Sequence, residues 1–324
     1  MSRFFPRICA IVITAGFIAA ALAAQTASKT ASQIVPLSTP MELTHDKPFV
    51  MVSVNGKGPF RFVIDTGTGA EAFVTGELAD ELGLPVTGYV HLSDASKQGG
   101  QRVPLVMIQS LEVAGVVFRD VKAARHSLSD ADGVCDGLLG FELFRDYLLT
   151  LDYPNHRMAL SSGSLEPDGE RSVLPFRMPD GIPIVPLHIG SLQIDAQIDS
   201  GGTGLSLPEK IASHLNFDNA PSLFGIGQSL SSRFELKAAR LTSDLHFGNY
   251  IFLRPFVEIN PAFPLANFGS SAMQNFTFTF DQKDALVRFE SSQQIQHLSP
   301  TPTPVRMEMA PTYKPVDTSL VPVG

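Results

Sequence analysis

Two aspartates stand at the ends of apolar runs, each followed by a small hydroxyl residue and a glycine. They are Asp65 in "FVIDTGTGA" (residues 62–70) and Asp199 in "AQIDSGGTG" (residues 196–204). A carboxylate delivered at the end of a buried strand is costly unless it is paired or neutralised. Either tripeptide alone reads as an Asx turn after a strand. Two such aspartates brought side by side read differently, because neighbouring carboxylates cannot both ionise cheaply and share one proton. Such a pair offers an acid and a base together, and its titration belongs to both members.

The elements around the two aspartates repeat. "PFVMVSVNGKGPFRFVID" leads into Asp65 and "GIPIVPLHIGSLQIDAQID" into Asp199, both strand-like. After each tripeptide comes a short amphipathic helix, expected over Gly76–Leu84 and over Pro208–Phe217, the latter with proline near its first turn. Each half then runs through β-rich sequence to an apolar-Gly element, Leu138-Leu139-Gly140 and Asn267-Phe268-Gly269, and a final strand pair. The aspartates are 199 − 65 = 134 residues apart and the glycines 269 − 140 = 129, so the spacing nearly holds. Two diverged copies of one β-rich unit account for the pattern.

On these residues the chain resembles the aspartic proteases of the pepsin-like and retropepsin-like clan. The resemblance rests on Asp65-Thr66-Gly67-Thr68, Asp199-Ser200-Gly201, the two helices and the apolar-Gly elements. It implies an all-β fold with short helices: two pseudo-symmetric β-barrel lobes with the substrate cleft between them. It implies Asp65 and Asp199 as the catalytic pair and an aspartic endopeptidase activity on a polypeptide substrate. The ionised aspartate would take a proton from a water that attacks the scissile carbonyl, while the protonated one bonds the oxyanion. By the same resemblance, Thr66 and Ser200 exchange hydrogen bonds between halves, and Gly67 and Gly201 let backbone approach the carboxylates. Thr68 matches a hydroxyl that holds the outer oxygen of its aspartate. Gly202 stands where the second half would carry that hydroxyl, so Asp199 loses a partner unless Thr203 shifts in. A lid is expected in the hairpin His91–Ile108, with Ser93, Gly99 and Gly100 at its tip; an ordinary surface hairpin is the other reading. The alternative function is a catalytically impaired protein of this fold that binds peptides in its cleft.

Composition sets the remaining expectations. The chain has 324 residues, 44% hydrophobic and 17% charged, with a net charge of −8 and no long basic run, which argues against a nucleic-acid partner. Arg3 and Arg7, an apolar run and Ala21-Leu22-Ala23 have the parts of a cleavable signal peptide over residues 1–23, with an uncleaved anchor as the alternative. An exported chain, periplasmic or extracellular, is expected, without membrane insertion once the signal is removed. Cys135 then stands alone and reads as a small buried residue. No His, Cys or acidic spacing points to a metal, and no cofactor is implied. The division expected is a linker over residues 24–44, a first lobe over 45–163, a connection over 164–180, a second lobe over 181–291 and a Pro-rich disordered tail over 292–324. One chain carrying both halves need not dimerise, so a monomer is expected. The apolar residues around the motifs point to hydrophobic side chains flanking the cut.

Overall fold

The computed structural model describes residues 36–93, 100–127, 135–228, 233–299, 307–308 and 312–314, all within one compact unit that begins at Ile34. The expected signal peptide and the hairpin-tip residue Gly99 lie outside the described residues. The chain is mostly strand with a few short helices, as the sequence predicts. Among the described residues no helix is long and apolar enough to cross a membrane.

Each half builds a sheet with the same internal order. In the first, the order is Lys47–Val54, Lys57–Asp65, Gly137–Gly140, Ala72–Val74, Val116–Arg125, Gln101–Val113 and Val86–Ser93. In the second it is Ile184–Ile189, Leu192–Asp199, Ala266–Gly269, Leu205–Pro208, Phe256–Asn260, Arg233–Arg240 and Ser222–Gln228. Both aspartate strands run parallel to the apolar-Gly strand, with Asp65 opposite Gly140 and Asp199 opposite Gly269. A buried parallel pairing explains the apolar run Phe62-Val63-Ile64 before Asp65, whereas the strand Leu192–Asp199 alternates apolar and polar residues. Gly140 and Gly269 are required there, since a Cβ on either would collide with backbone of the loop beyond its aspartate.

A third sheet takes strands from both halves, in the order Leu37–Pro40, Arg157–Ser161, Leu148–Asp152, Thr277–Asp281, Leu286–Glu290 and Val173–Pro175. Its centre joins Leu148–Asp152 to Thr277–Asp281, with the Thr150 and Thr279 hydroxyls 3.1 Å apart. Phe141 packs edge-on against Phe280 beside it, so apolar burial as well as backbone bonding ties the halves together.

Three expectations change. Part of the expected linker is structured: Leu37–Pro40 pairs with Arg157–Ser161, Glu42–Thr44 pairs with Lys47–Val54, and Met41 between them is buried. The expected disordered tail pairs too, as Ile295–Gln296 joins Tyr250–Phe252, Met307–Glu308 joins Ser222–Gln228, and Thr312–Lys314 joins Val86–Ser93. Edge pairing uses backbone N–H and C=O groups, which every residue but proline carries in full, so low hydrophobicity does not forbid it. The helices differ as well. Gly76–Leu82 is capped by Thr75, whose hydroxyl accepts from the Leu78 N–H, and closed by Gly83 in the left-handed region at φ 60°. The second helix shrinks to Glu209–Ala212, and the residues beyond it continue in tighter turns in which the His214 and Leu215 N–H groups reach back only three residues, to Ile211 and Ala212.

Candidate active site

The two Asp-hydroxyl-Gly loops meet and lock. Thr66 N–H donates to Ser200 Oγ (3.0 Å) and Ser200 N–H to Thr66 Oγ1 (3.0 Å). In turn Thr66 Oγ1 donates to the Ile198 carbonyl (2.8 Å) and Ser200 Oγ to the Ile64 carbonyl (2.7 Å). All four groups are buried, where an unpaired polar atom costs free energy, so the exchange leaves none unmade. The glycines are seated crosswise: a Cβ on Gly67 would lie 2.5 Å from the Asp199 carboxyl carbon, and one on Gly201 would collide with the Asp65 carboxyl.

This seating brings Asp65 and Asp199, 1% and 2% exposed, into hydrogen-bonding reach of each other. Asp65 accepts from Gly67 N–H (2.8 Å) and Thr68 Oγ1 (2.9 Å). Asp199 accepts from Gly201 N–H (3.0 Å), Gly202 N–H (2.8 Å) and Gln197 Nε2 (3.3 Å). Burial, and then the Asp199 charge, push Asp65 well above the ordinary carboxylate range, with the Thr68 and Gly67 bonds opposing. Burial raises Asp199 also, but the Gly202 N–H, the bond from Asp65, the Lys47 ammonium and the Gly201 N–H hold it back. Both carboxyls are thus pushed above the ordinary range, and the pair holds one proton between them.

Of the hairpin residues singled out, Ser93 ends the strand Val86–Ser93 and Gly100 directly precedes its partner Gln101–Val113. The inward side chains Val90, Leu92 and Val103 pack with Val63 and Leu138 beside the Asp65 strand. Tyr89 points outward, 44% exposed, with the Arg102 guanidinium over its ring. Cys135 lies half-buried against that same apolar cluster, its thiol directed at the Gly137 carbonyl.

Three residues of the site escape the motif reading. Gln197 supplies Asp199 with the partner that Gly202 cannot, and it also donates to Asn267 Oδ1 (3.1 Å). Lys47 adds positive potential, and Tyr153 is a fully buried phenol whose ionisation the Asp199, Asp46 and Asp65 charges further oppose after burial itself. Gln197 shares its face of the strand with Gln193, Asp195 and Asp199, so its polarity gives no signal; only its burial, where Gln193 and Asp195 are exposed, sets it apart.

Residues 50–143 match a protein family described as aspartyl protease. The resemblance carried by Asp65-Thr66-Gly67-Thr68 is thereby borne out over that segment, and the function class it defines is that of a protease, a hydrolase. No curated protein matches the chain.

Proposed function

We propose that the chain is a single-chain aspartic endopeptidase of the two-lobed, pseudo-symmetric kind, hydrolysing peptide bonds between Asp65 and Asp199. The observation that carries this reading is the crosswise seating of the two loops, which sets two buried carboxyl groups against each other with unequal partners. Asp199, held by three N–H groups that can only donate, keeps the charge and acts as base toward a water lying between the carboxyls. Asp65 faces a hydroxyl that can reverse its bond, keeps the proton and donates it to the oxygen of the tetrahedral intermediate. The proton taken by Asp199 then passes to the departing nitrogen as the C–N bond breaks, and Asp65 recovers its proton from a hydroxyl of the intermediate, leaving the product acid and the pair as it began. The Val86–Ser93 and Gln101–Val113 hairpin, packed beside the Asp65 strand, is suited to keeping water out of the closed cleft.

The test is cleavage of a denatured protein by the purified chain, by Asp65→Asn and by Asp199→Asn, over a range of pH. Either substitution is expected to remove activity by a factor of about 10³ or more, since each deletes a participant in proton transfer. Cleavage that survives either change moves the chemistry elsewhere. Peptide binding without cleavage in the unmodified chain leaves the cleft as a binding site alone.

A further inference from the structure

The two halves differ chemically along one cross-strand row. Beside Asp65, the residues directly opposite one another across the sheet are Val63, Leu138, Phe73 and Ala124. All four belong to one apolar cluster with Val90, Leu92 and Val103 of the hairpin. Beside Asp199, the same row reads Gln197, Asn267, Ser206 and Glu258. Directly opposed residues share a face of the sheet, so these side chains form one contiguous line. All four are buried, Glu258 at 7% exposure and Asn267 at 1%.

Four polar residues replacing four apolar ones in a buried row destabilise the empty protein unless each finds a partner. Gln197 is satisfied by Asp199 and Asn267. Two atoms are left over, the Asn267 Nδ2 donor and the Glu258 Oε2 acceptor. Both lie against the loop that follows Asp199, at its glycines. A Cβ on Gly202 would touch the Asn267 amide and come within 2.6 Å of Asp199 Oδ2, and one on Gly204 would collide with the Glu258 carboxylate. The loop thus carries no side chain at the two points where the unpartnered atoms meet it. Glu258 stands two strand spacings, about 10 Å, along the row from Asn267.

Resting on the reading of Asp65 and Asp199 as the reacting pair, we infer that this row is a substrate subsite that takes a cationic side chain, lysine or arginine. It lies on one side of the cut, and the Val63 row takes an apolar side chain on the other. A peptide held at the pair places a neighbouring residue's Cα over the Gly202–Gly204 loop. The flexible stem of lysine or arginine spans the distance along the row and brings a donor-only head to Glu258, whose carboxyl accepts from it and is held ionised by it. A charge-assisted bond there replaces an unmade one, the case in which a buried ionic contact gains most. Asn267 Nδ2 remains for a carbonyl oxygen of the peptide. This differs from the expectation, drawn from the apolar residues around the motifs, of hydrophobic side chains on both sides.

The experiment measures binding, so that it does not depend on catalysis. Fluorescein-labelled peptides of one sequence, varied to lysine, glutamine or norleucine on either side of the central bond, are titrated with Asp65→Asn protein by anisotropy. In one of the two series lysine is expected to bind about tenfold or more tighter than norleucine. Glu258→Gln, which keeps the side-chain size, is expected to erase that difference, and Glu258→Leu to reverse it. Equal binding of lysine and norleucine in both series overturns the inference, as does a lysine preference that survives Glu258→Gln, a glutamine preference over lysine, or no binding of any peptide. A Glu258-dependent lysine preference in a chain that never cleaves would sink the catalytic reading and leave the subsite standing. Cleavage lost on Asp65→Asn, with no such preference, would do the opposite.

Discussion

At the scale of the residue, the departure of most consequence is glycine at 202. In the first half Thr68 Oγ1 holds Asp65 Oδ2 at 2.9 Å. In the second, the space a hydroxyl would use is taken by the Asn267 amide, and Gln197 reaches Asp199 Oδ2 from the strand below. Thr203 does not shift in; its carbonyl instead accepts from Ser271. Restoring the missing hydroxyl should therefore do harm. Gly202→Thr is expected to destabilise the protein by about 1–3 kcal/mol through overpacking and to slow cleavage with it. Adding Asn267→Ala is expected to recover only part of both losses, because it relieves the amide collision but not the one with Asp199 Oδ2, as read by denaturant midpoint and initial rate. A single Gly202→Thr with wild-type stability would mean that the loop yields and that the amide pair does not set its position. The sequence made the tripeptides legible because each is short and occurs twice. Gln197 was not legible, because it falls in step with Gln193 and Asp195 on the polar face of an alternating strand and only the fold buries it opposite Asn267. Glu258 was not legible at all, since only the register opposite Ser206 brings it into line with Asn267 and Gln197.

At the scale of the element, the reciprocal bonds of Thr66 and Ser200 make two loops from distant sequence behave as one. Ser200→Ala removes the acceptor of the Thr66 N–H and the donor to the Ile64 carbonyl, both buried. Leaving such groups unsatisfied is expected to cost about 2 kcal/mol or more and to lower the cleavage rate, since the Asp199 carboxylate rides on the same loop. Ser200→Thr, which keeps the hydroxyl, is expected to retain more of both, and equal losses in the two variants would assign the effect to packing. Element prediction succeeded where side chains encode the element. Thr75 and Gly83 mark the ends of the helix Gly76–Leu82, and the apolar runs mark the aspartate strands. It failed where backbone alone makes the contact. Leu37–Pro40 and Ile295–Gln296 are short edge pairings in polar, proline-containing sequence with no period to read.

At the scale of the whole molecule, the repeat was legible from two nearly equal offsets, whereas the sheet shared by both halves was not, because it assembles strands from four separate stretches of the chain. A chain so joined carries its buried charges as one stability problem, and its pH dependence follows from them. Glu258 is pushed up from 4.5 to about 7 by burial. The folded state thus holds that proton more tightly than the unfolded chain does. The stability is fully present below pH 4.5 and is lost as pH rises toward 7, by about 3 kcal/mol at most. Asp65 and Asp199, both raised from 3.8 with burial as the first cause, act in the same direction. Asp168 opposes them at the acid end. Burial would raise it, but the Ser172 hydroxyl and the N–H groups of Ser172, Val173 and Arg171 outweigh that and bring it to about 2, so its contribution is present above 3.8 and lost below. Resistance to denaturant is therefore expected to peak near about pH 4 and to decline toward neutrality, acid of the usual range between about pH 5 and 8. Glu258→Gln has no proton to lose, so it is expected to make the decline between 4.5 and 7 shallower, leaving the part due to Asp65 and Asp199 and the fall below pH 4 in place. A wild-type curve that rises from pH 4.5 to 7 would mean that Glu258 finds a compensating charge in the folded chain, and the unpartnered Oε2 would no longer ask for one from a ligand.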